Sequence, residues 1–376
     1  MRRAGVVLAI GLGLASAGAA ARVLQVGPSK PYTTPSAAAE KARNGDTVEI
    51  DAGVYPGDVA VWRQDRLTLR GVGGRAHLRA DGRAAAGKAI WVIQGRDVTV
   101  ENIEFSGAAV SDLNGAGIRH EGEGLAVRHC YFHDNENGIL GGGGEVLIEH
   151  TEFAGNGHGD GYSHNIYIGE HTRRLTLRYS YSHHARIGHN VKSRAQENHI
   201  VYNRIMDETD GTSSYAIDLP DGGLSIVMGN LIQQGPQTDN STIISYGAEG
   251  RRHRDARLFV VNNTIVNDRH DGVFLRVAAE APPALLANNL LIGRGEPSTG
   301  PVERIGNVTG DSRAVRDRAA FDYRPAPRSA AIDAAAALDA PPGIGLVPTG
   351  EYRHPAGAAV RGRHDALDAG ALEWLP

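Results

Sequence analysis

Val98-Thr-Val-Glu-Asn102-Ile-Glu-Phe105 and Leu125-Ala-Val-Arg-His129-Cys-Tyr-Phe132 share one layout: apolar residues at alternate positions, a polar interruption, then a further apolar pair. The layout returns in Val146-Leu-Ile-Glu-His150, Leu175-Thr-Leu-Arg-Tyr179, Ile200-Val-Tyr-Asn203, Ile226-Val-Met-Gly-Asn230, Val260-Val-Asn-Asn263 and Leu285-Leu-Ala-Asn-Asn289. Its marks fall 21 to 33 residues apart, about 27 on average, which is the period of a solenoid or repeat array. Alternation with period two, bounded by Gly, Asn and Asp, makes the units strands and turns, not helices. A second short strand follows each mark, at Gly117-Ile118, Gly138-Ile139, Asn165-Ile166, Asn190-Val191, Ala216-Ile217, Ile243-Ile244 and Gly272-Val273. Strands wound once per repeat give an all-β, right-handed parallel β-helix, each coil adding about 4.8 Å. A propeller is the alternative, but its blades need about 40–50 residues each.

Length alone, 376 residues, suggests two or three domains at about 150 residues each. The repeat replaces that expectation with one elongated unit: residues 22–304 as the β-helix with its N-terminal cap, and 305–376 as a closing segment of the same domain. The 49 glycines and the 41% of hydrophobic residues suit many tight turns around a real core. A net charge of −4 without a basic block argues against a nucleic-acid partner. Residues 1–21 read as an export signal. Arg2 and Arg3 precede an apolar stretch, Ala4 to Leu14, that is too short to span a bilayer, and Ala19-Ala20-Ala21 offers a small-residue cleavage site. The expectation is a secreted or periplasmic protein cleaved near Ala21, with no membrane attachment in the mature form; a retained anchor is the alternative. Cys130, the single cysteine, lies in an alternating pattern and reads as a small core residue. A single coil stack is expected to act as a monomer.

Thr33-Thr34-Pro35-Ser36-Ala37-Ala38-Ala39 reads as a helix start, followed by the strand Asn44-Gly-Asp-Thr-Val-Glu-Ile50. With Gly53-Val-Tyr55 and Leu67-Thr-Leu-Arg-Gly71, this stretch resembles the entry of pectin-lyase-like β-helix proteins. Such a helix covers the open end of the first coil. Phe321-Asp-Tyr323, Ser329-Ala-Ala-Ile-Asp333 and Asp368-Ala-Gly-Ala-Leu-Glu373 resemble the tail that closes many of them. That superfamily includes lyases, epimerases, hydrolases, esterases and non-enzymes, so the resemblance implies a fold and leaves the chemistry open.

Aligning the second strands puts Ile139, Ile166, Val191, Ile217 and Ile244 in one inward column and Leu140, Tyr167, Lys192, Asp218 and Ser245 in the outward one. Arg194 follows on the outward side, and Asn165, Asn190, His164, His189 and Tyr215 lie just before the inward column. An outward face has no packing reason to select these types together. Cleavage of a uronate polymer by β-elimination needs a base for the C5 proton, a cation beside the carboxylate and an acid for the leaving oxygen, and the wall offers each.

Two closer resemblances begin here. Asn190-Val-Lys192-Ser-Arg194, with Glu197-Asn-His-Ile-Val-Tyr-Asn203 and Gly229-Asn230, resembles the core of the alginate lyase and chondroitinase B-like lyases. In that family a catalytic Lys sits in an Asn-Lys-Ser segment with an Arg on the next coil. Lys192 matches the Lys, while the Arg position falls near Asp218. Tyr215-Ala-Ile-Asp218-Leu-Pro220 is similar to the Tyr-x-x-Asp-Pro-His segment of alginate C5-epimerases, with His189 or His164 in place of the displaced His. These resemblances imply an acidic polysaccharide as partner and substrate.

The expected roles follow from charge. Asp218 beside Lys192 keeps the lysine charged, so Lys192 and Arg194 are read as binding or neutralising the carboxylate, and Tyr215 or His189 as moving protons. His164, Asn165, Tyr167 and Asn190 are read as substrate-binding. A plain Lys192–Asp218 salt bridge is the alternative. Asp207, Glu208 and Asp210 form an acidic loop whose oxygens suit calcium, with a solvated turn as the alternative and Asp160 and Asp239 as further single acidic positions. Arg251-Arg-His-Arg254 is a basic run suited to an acidic polymer or to a solvated loop. The other functional readings are a uronate C5-epimerase, a glycoside hydrolase using Asp218 and Asp221, and a non-catalytic carbohydrate-binding β-helix.

Overall fold

The computed structural model describes residues 20–250 and 252–376. The expected export signal lies almost wholly outside the described residues, as does Arg251 of the basic run. The chain winds into parallel coils whose strands fall into three stacks. Stack one runs from Val23–Val26 to Val302–Ile305. Stack two runs from the second half of Thr47–Pro56 to Val308–Gly310. Stack three holds ten strands, from Ala60–Trp62 to Glu296–Thr299. Stacks one and two meet at a corner and join into one continuous sheet. The repeat therefore contains three strands; the apolar pair after each polar mark is the one in stack two.

Period-two alternation decides which side chains fill the lumen. In stack one, Val100, Val127, Ile148, Leu177, Ile200, Val227, Val260 and Leu286 lie in register, all buried. In stack three, Ile139, Ile166, Val191, Ile217 and Ile244 are fully buried, as their column predicts. In stack two the rings of Phe105, Phe132 and Phe153 stack at 4.8 and 4.9 Å. Gly138 makes room for them, since a Cβ there would meet the Phe153 ring at 2.8 Å. Cys130 is fully buried, with its sulfur against the Val100 carbonyl at 3.7 Å.

The corner between stacks one and two needs a left-handed residue, φ about +50 to +60. Asn102 (+57), His129 (+54), His150 (+52), Tyr179 (+52), Tyr202 (+59), Asn262 (+49) and Asn288 (+54) supply it, together with Gly229 (+68). The first four marks in the sequence are these residues. The later marks, Asn203, Asn230, Asn263 and Asn289, are one residue further on and point inward. There they form a ladder: each Nδ2 donates to the Oδ1 of the next, at 3.0, 2.9 and 3.0 Å, ending on Asn307 at 2.9 Å.

The helix is short, Pro35–Ala39, with the Thr34 hydroxyl accepting from the Ala37 N–H at 3.3 Å. It buries Ala38 and Ala39 against the first coil. Residues beyond Gly310 return along the flank of the stack. Tyr323, Ala331, Tyr352, Ala369 and Leu372 cover Tyr181, Met206, Leu231, Val266 and Leu290 outside stack two. Leu346 covers Tyr202, Ile226, Met228 and Phe259 outside stack one. The reason is burial: Tyr181, Met206, Leu231, Val266 and Leu290 on the outside of stack two and Tyr202, Ile226, Met228 and Phe259 on the outside of stack one are apolar and need a cover. The Thr349 N–H donates to the Tyr202 hydroxyl at 3.0 Å, and the His150 ring bonds the Ala356 carbonyl at 2.9 Å. No helix among the described residues is long and apolar enough to cross a membrane.

Candidate functional site

Stack three carries the polar wall. Leu140, Tyr167, Lys192, Asp218 and Ser245 stand opposite one another on successive coils, and the row continues to Arg119 before them and Arg276 after. Lys192 Nζ lies 3.6 Å from an Asp218 oxygen and 3.6 Å from a Glu249 oxygen. Arg194 donates to Asp221 at 2.5 Å, Glu249 at 2.6 Å and the Tyr167 hydroxyl at 3.0 Å. Both cations lie beside the face of the Tyr167 ring, at 5.5 and 5.9 Å from its centre. Lys192 is thus set between two carboxylates, one buried and one on the surface loop.

The histidines form a second layer. His164 and His189 stack at 4.6 Å, and Tyr215 leans on His189 at 4.9 Å. The His189 N–H donates to His164 Nδ1 at 3.0 Å, and the Tyr215 N–H donates to His189 Nδ1 at 3.3 Å. An Nδ1 that accepts leaves the proton on Nε2, and His189 Nε2 faces an Asp218 oxygen at 3.5 Å. Burial, reinforced by Lys192, pushes His189 down to about 3. Burial and the neighbouring cations hold His164 well below the ordinary histidine range. Burial raises Asp218 to about 6 against the opposing pull of Lys192, with Glu249 adding to the rise. Both ring nitrogens of His189, one of the two expected proton carriers, are thus engaged. Tyr215 is half-buried, and among the described residues its hydroxyl has no hydrogen-bond partner.

Several expected site residues are placed elsewhere. Asn165 and Asn190 have no exposed surface. They belong to a second interior ladder, Asn135 to Asn156 to Asn165 to Asn190, with amide contacts of 2.9, 2.9 and 3.0 Å. Their position just before the strands faces them into the turn between stacks two and three. There Ser182 takes the place of the phenylalanines, and Asn165 Nδ2 donates to its hydroxyl at 3.1 Å. His164, 1% exposed, supports His189 from the same buried side. The acidic loop does not converge as a calcium cage. Asp207 ends the interior ladder, bonded by Asn190 at 3.3 Å and Ser213 at 2.5 Å, and burial raises it to about 6. Glu208 accepts from Tyr181 at 2.5 Å and Arg204 at 3.1 Å, while Asp210 meets His184 at 3.1 Å. Asp160 holds its own turn, accepting from the Tyr162 N–H at 2.9 Å. Of the proposed hydrolase pair, Asp221 is fully buried under Arg194.

Glu249 had no signal in the sequence: it is 55 residues from Arg194, in the loop between Thr242–Tyr246 and Leu258–Val261. That loop leans over the wall. Arg252 of the basic run pairs with Glu170 at 2.8 Å, and His253 Nε2 bonds the Arg194 carbonyl at 2.9 Å. Beside it opens a groove of about 720 Å³ lined by Arg119, Tyr167, Glu170, His171, Arg194 and Arg252.

Residues 81–232 match the family model described as a right-handed β-helix region. No curated protein sequence matches. Among solved structures, a pectate lyase is similar at 14% identity and TM-score 0.62, over 94% of this chain and 96% of that one. An alginate lyase from a Paenibacillus strain aligns at 14% identity and TM-score 0.47, over 77% of this chain and 99% of that one. A mannuronan C-5 epimerase module from Azotobacter vinelandii aligns at 14% identity and TM-score 0.35, over 73% and 92%. Together with the three stacks, the family match and the pectate lyase likeness make this chain a right-handed parallel β-helix of the pectin-lyase-like fold.

Proposed function

We propose that the chain is an exported polysaccharide lyase that cleaves an acidic, uronate-containing polysaccharide by C5 proton abstraction and β-elimination. The observation that carries this reading is the arrangement around Glu249. Its carboxylate lies against both Lys192 and Arg194 on an open groove, at 3.6 and 2.6 Å, where a uronate carboxylate of the substrate would bind. Two cations on one carboxylate withdraw charge from the adjacent C5–H and make it more acidic. The Glu249 side chain is 47% exposed and sits on a loop, so it is the group a substrate would displace. Tyr215, with its free hydroxyl, and Asp218, raised to about 6, are the groups suited to take the C5 proton and return one to the leaving oxygen. Tyr167 offers a ring face for a sugar.

The test is the increase in ultraviolet absorbance that accompanies the new double bond, measured with purified protein on alginate, pectate, glucuronan and glycosaminoglycans, with calcium and with a chelator. Absorbance that rises on one polymer and is lost in Lys192→Ala supports the proposal. Proton exchange at C5 without cleavage would make the protein an epimerase. Reducing-end release without absorbance would make it a hydrolase. Retention of polymer without product would make it a binding protein.

A further inference from the structure

On stack two, a different face of the coil from the wall, His77, Glu104 and His133 lie on three successive coils, in Thr68–Arg79, Ile103–Ser106 and Tyr131–His133. His77 Nδ1 is 3.4 Å and His133 Nε2 is 3.1 Å from the same Glu104 oxygen. Among the described residues this is the one group of three such side chains whose ligand atoms all lie within 4.8 Å of one another. We propose that it is a binding site for a divalent transition-metal ion of the zinc type, clamping the three coils, with a fourth position open to solvent.

The argument is geometric. Four donors around zinc at about 2.0–2.2 Å are about 3.3–3.5 Å apart, and the observed separations of 3.4 and 3.1 Å are close to the edges of that tetrahedron. The outer nitrogens are already engaged. His133 Nδ1 bonds Asp134 at 2.9 Å, and His77 Nε2 bonds Ser106 Oγ at 2.7 Å. With its Nδ1 against Asp134 at 2.9 Å, the His133 ring turns Nε2 toward the Glu104 oxygen at 3.1 Å, the placement in which an ion between them would meet both ligand atoms. Carboxylate, histidine and metal in series is the usual outer-shell arrangement of zinc sites. Asp134 is held in turn by the Arg186 guanidinium, and Tyr131 stacks on the His133 ring at 4.5 Å. The three ligand side chains are each 21–23% exposed, so an ion has an entry path and room for a water. The apolar cover that the returning tail lays on stack two begins at Tyr181.

The experiment uses the tag-free full chain, stripped with chelator, titrated with zinc chloride by calorimetry and followed by thermal melting. One zinc per chain and a higher melting temperature are expected. Loss of at least 100-fold in affinity is expected in His133→Ala and in His77→Gln, about tenfold in Asp134→Asn, and no change in Lys192→Ala. Circular dichroism of the metal-free variants separates a lost ligand from a lost fold. Failure of the wild type to take up zinc, or uptake that survives both histidine substitutions, overturns the proposal; the three side chains are then joined by hydrogen bonds and ion pairs alone.

Discussion

The asparagine ladder and the wall of stack three are built on the same coils and follow opposite rules. At the corner, Asn203, Asn230, Asn263, Asn289 and Asn307 repeat one residue type, because each of these coils presents the same unpaired groups at that point. Each amide satisfies them identically: Asn230, for example, donates to the Ile200 carbonyl at 2.7 Å and to Asn263 at 2.9 Å. On the wall, equivalent positions change from Tyr167 to Lys192 to Asp218 to Ser245. No repeated backbone requirement explains that variety, and the side chains answer to one another across coils. In a solenoid, sameness along a column marks what holds the coil together, and difference along a column marks where chemistry is assembled. Asn165 and Asn190 illustrate the point. Grouped with the wall by proximity, they obey the ladder rule and are interior.

The largest expected effect is on the wall. Lys192→Ala should lower turnover on a responsive uronate polymer on the order of 10³-fold while leaving the melting temperature nearly unchanged. A loss under about threefold would reduce the wall to an ion-pair network and erase its contrast with the ladder. Asn230→Ala should do the reverse. Removing a buried amide that bonds on both sides leaves donors and acceptors unpaired and should cost about 3 kcal/mol in urea unfolding, with chemistry at the wall retained in whatever remains folded.

Asp207 lies where ladder and site meet, and its effect is conditional on pH. Its folded value, about 6, is above the ordinary carboxyl value of 3.8. Its contribution to stability is therefore complete below about 3.8 and is lost as pH rises through about 6. The stability of the wild type relative to Asp207→Asn should fall by about 3 kcal/mol between acid and neutral pH. A pH-independent difference would mean that the ladder ends on a charged group. The smallest effect is expected from Glu249→Gln, which removes the internal anion from Lys192 and Arg194. Retention of an acidic polymer should tighten about threefold at low salt, and weaker retention would mean that Glu249 holds the cations in place.

The inward and outward columns of stack three were legible in the sequence because alternation has a fixed period, and so Tyr167, Lys192 and Asp218 were found together without coordinates. Cys130 in the core was legible for the same reason. Glu249 was not, because its partner Arg194 is 55 residues away and the intervening loop carries no period. The cluster of His77, Glu104 and His133 was hidden similarly, its members separated by full coils of unequal length. Asp207, Glu208 and Asp210 looked like one site because they are neighbours in the chain, yet their carboxylates part toward Asn190, Arg204 and His184.

What the sequence by itself determined is the coil: period-two strands, polar corners and a repeat of about 27 residues admit a parallel β-solenoid, since only stacking neighbours bury such short strands. What only the tertiary structure decided is direction at the corners and reach beyond them. A residue at a turn faces inward or outward according to the coils above and below it, which is why Asn190 is structural and Lys192, two residues later, stands on the outer wall against Asp218 and Glu249. The tail and the Glu249 loop lie where distant outer surfaces attract them, and no local pattern encodes that attraction.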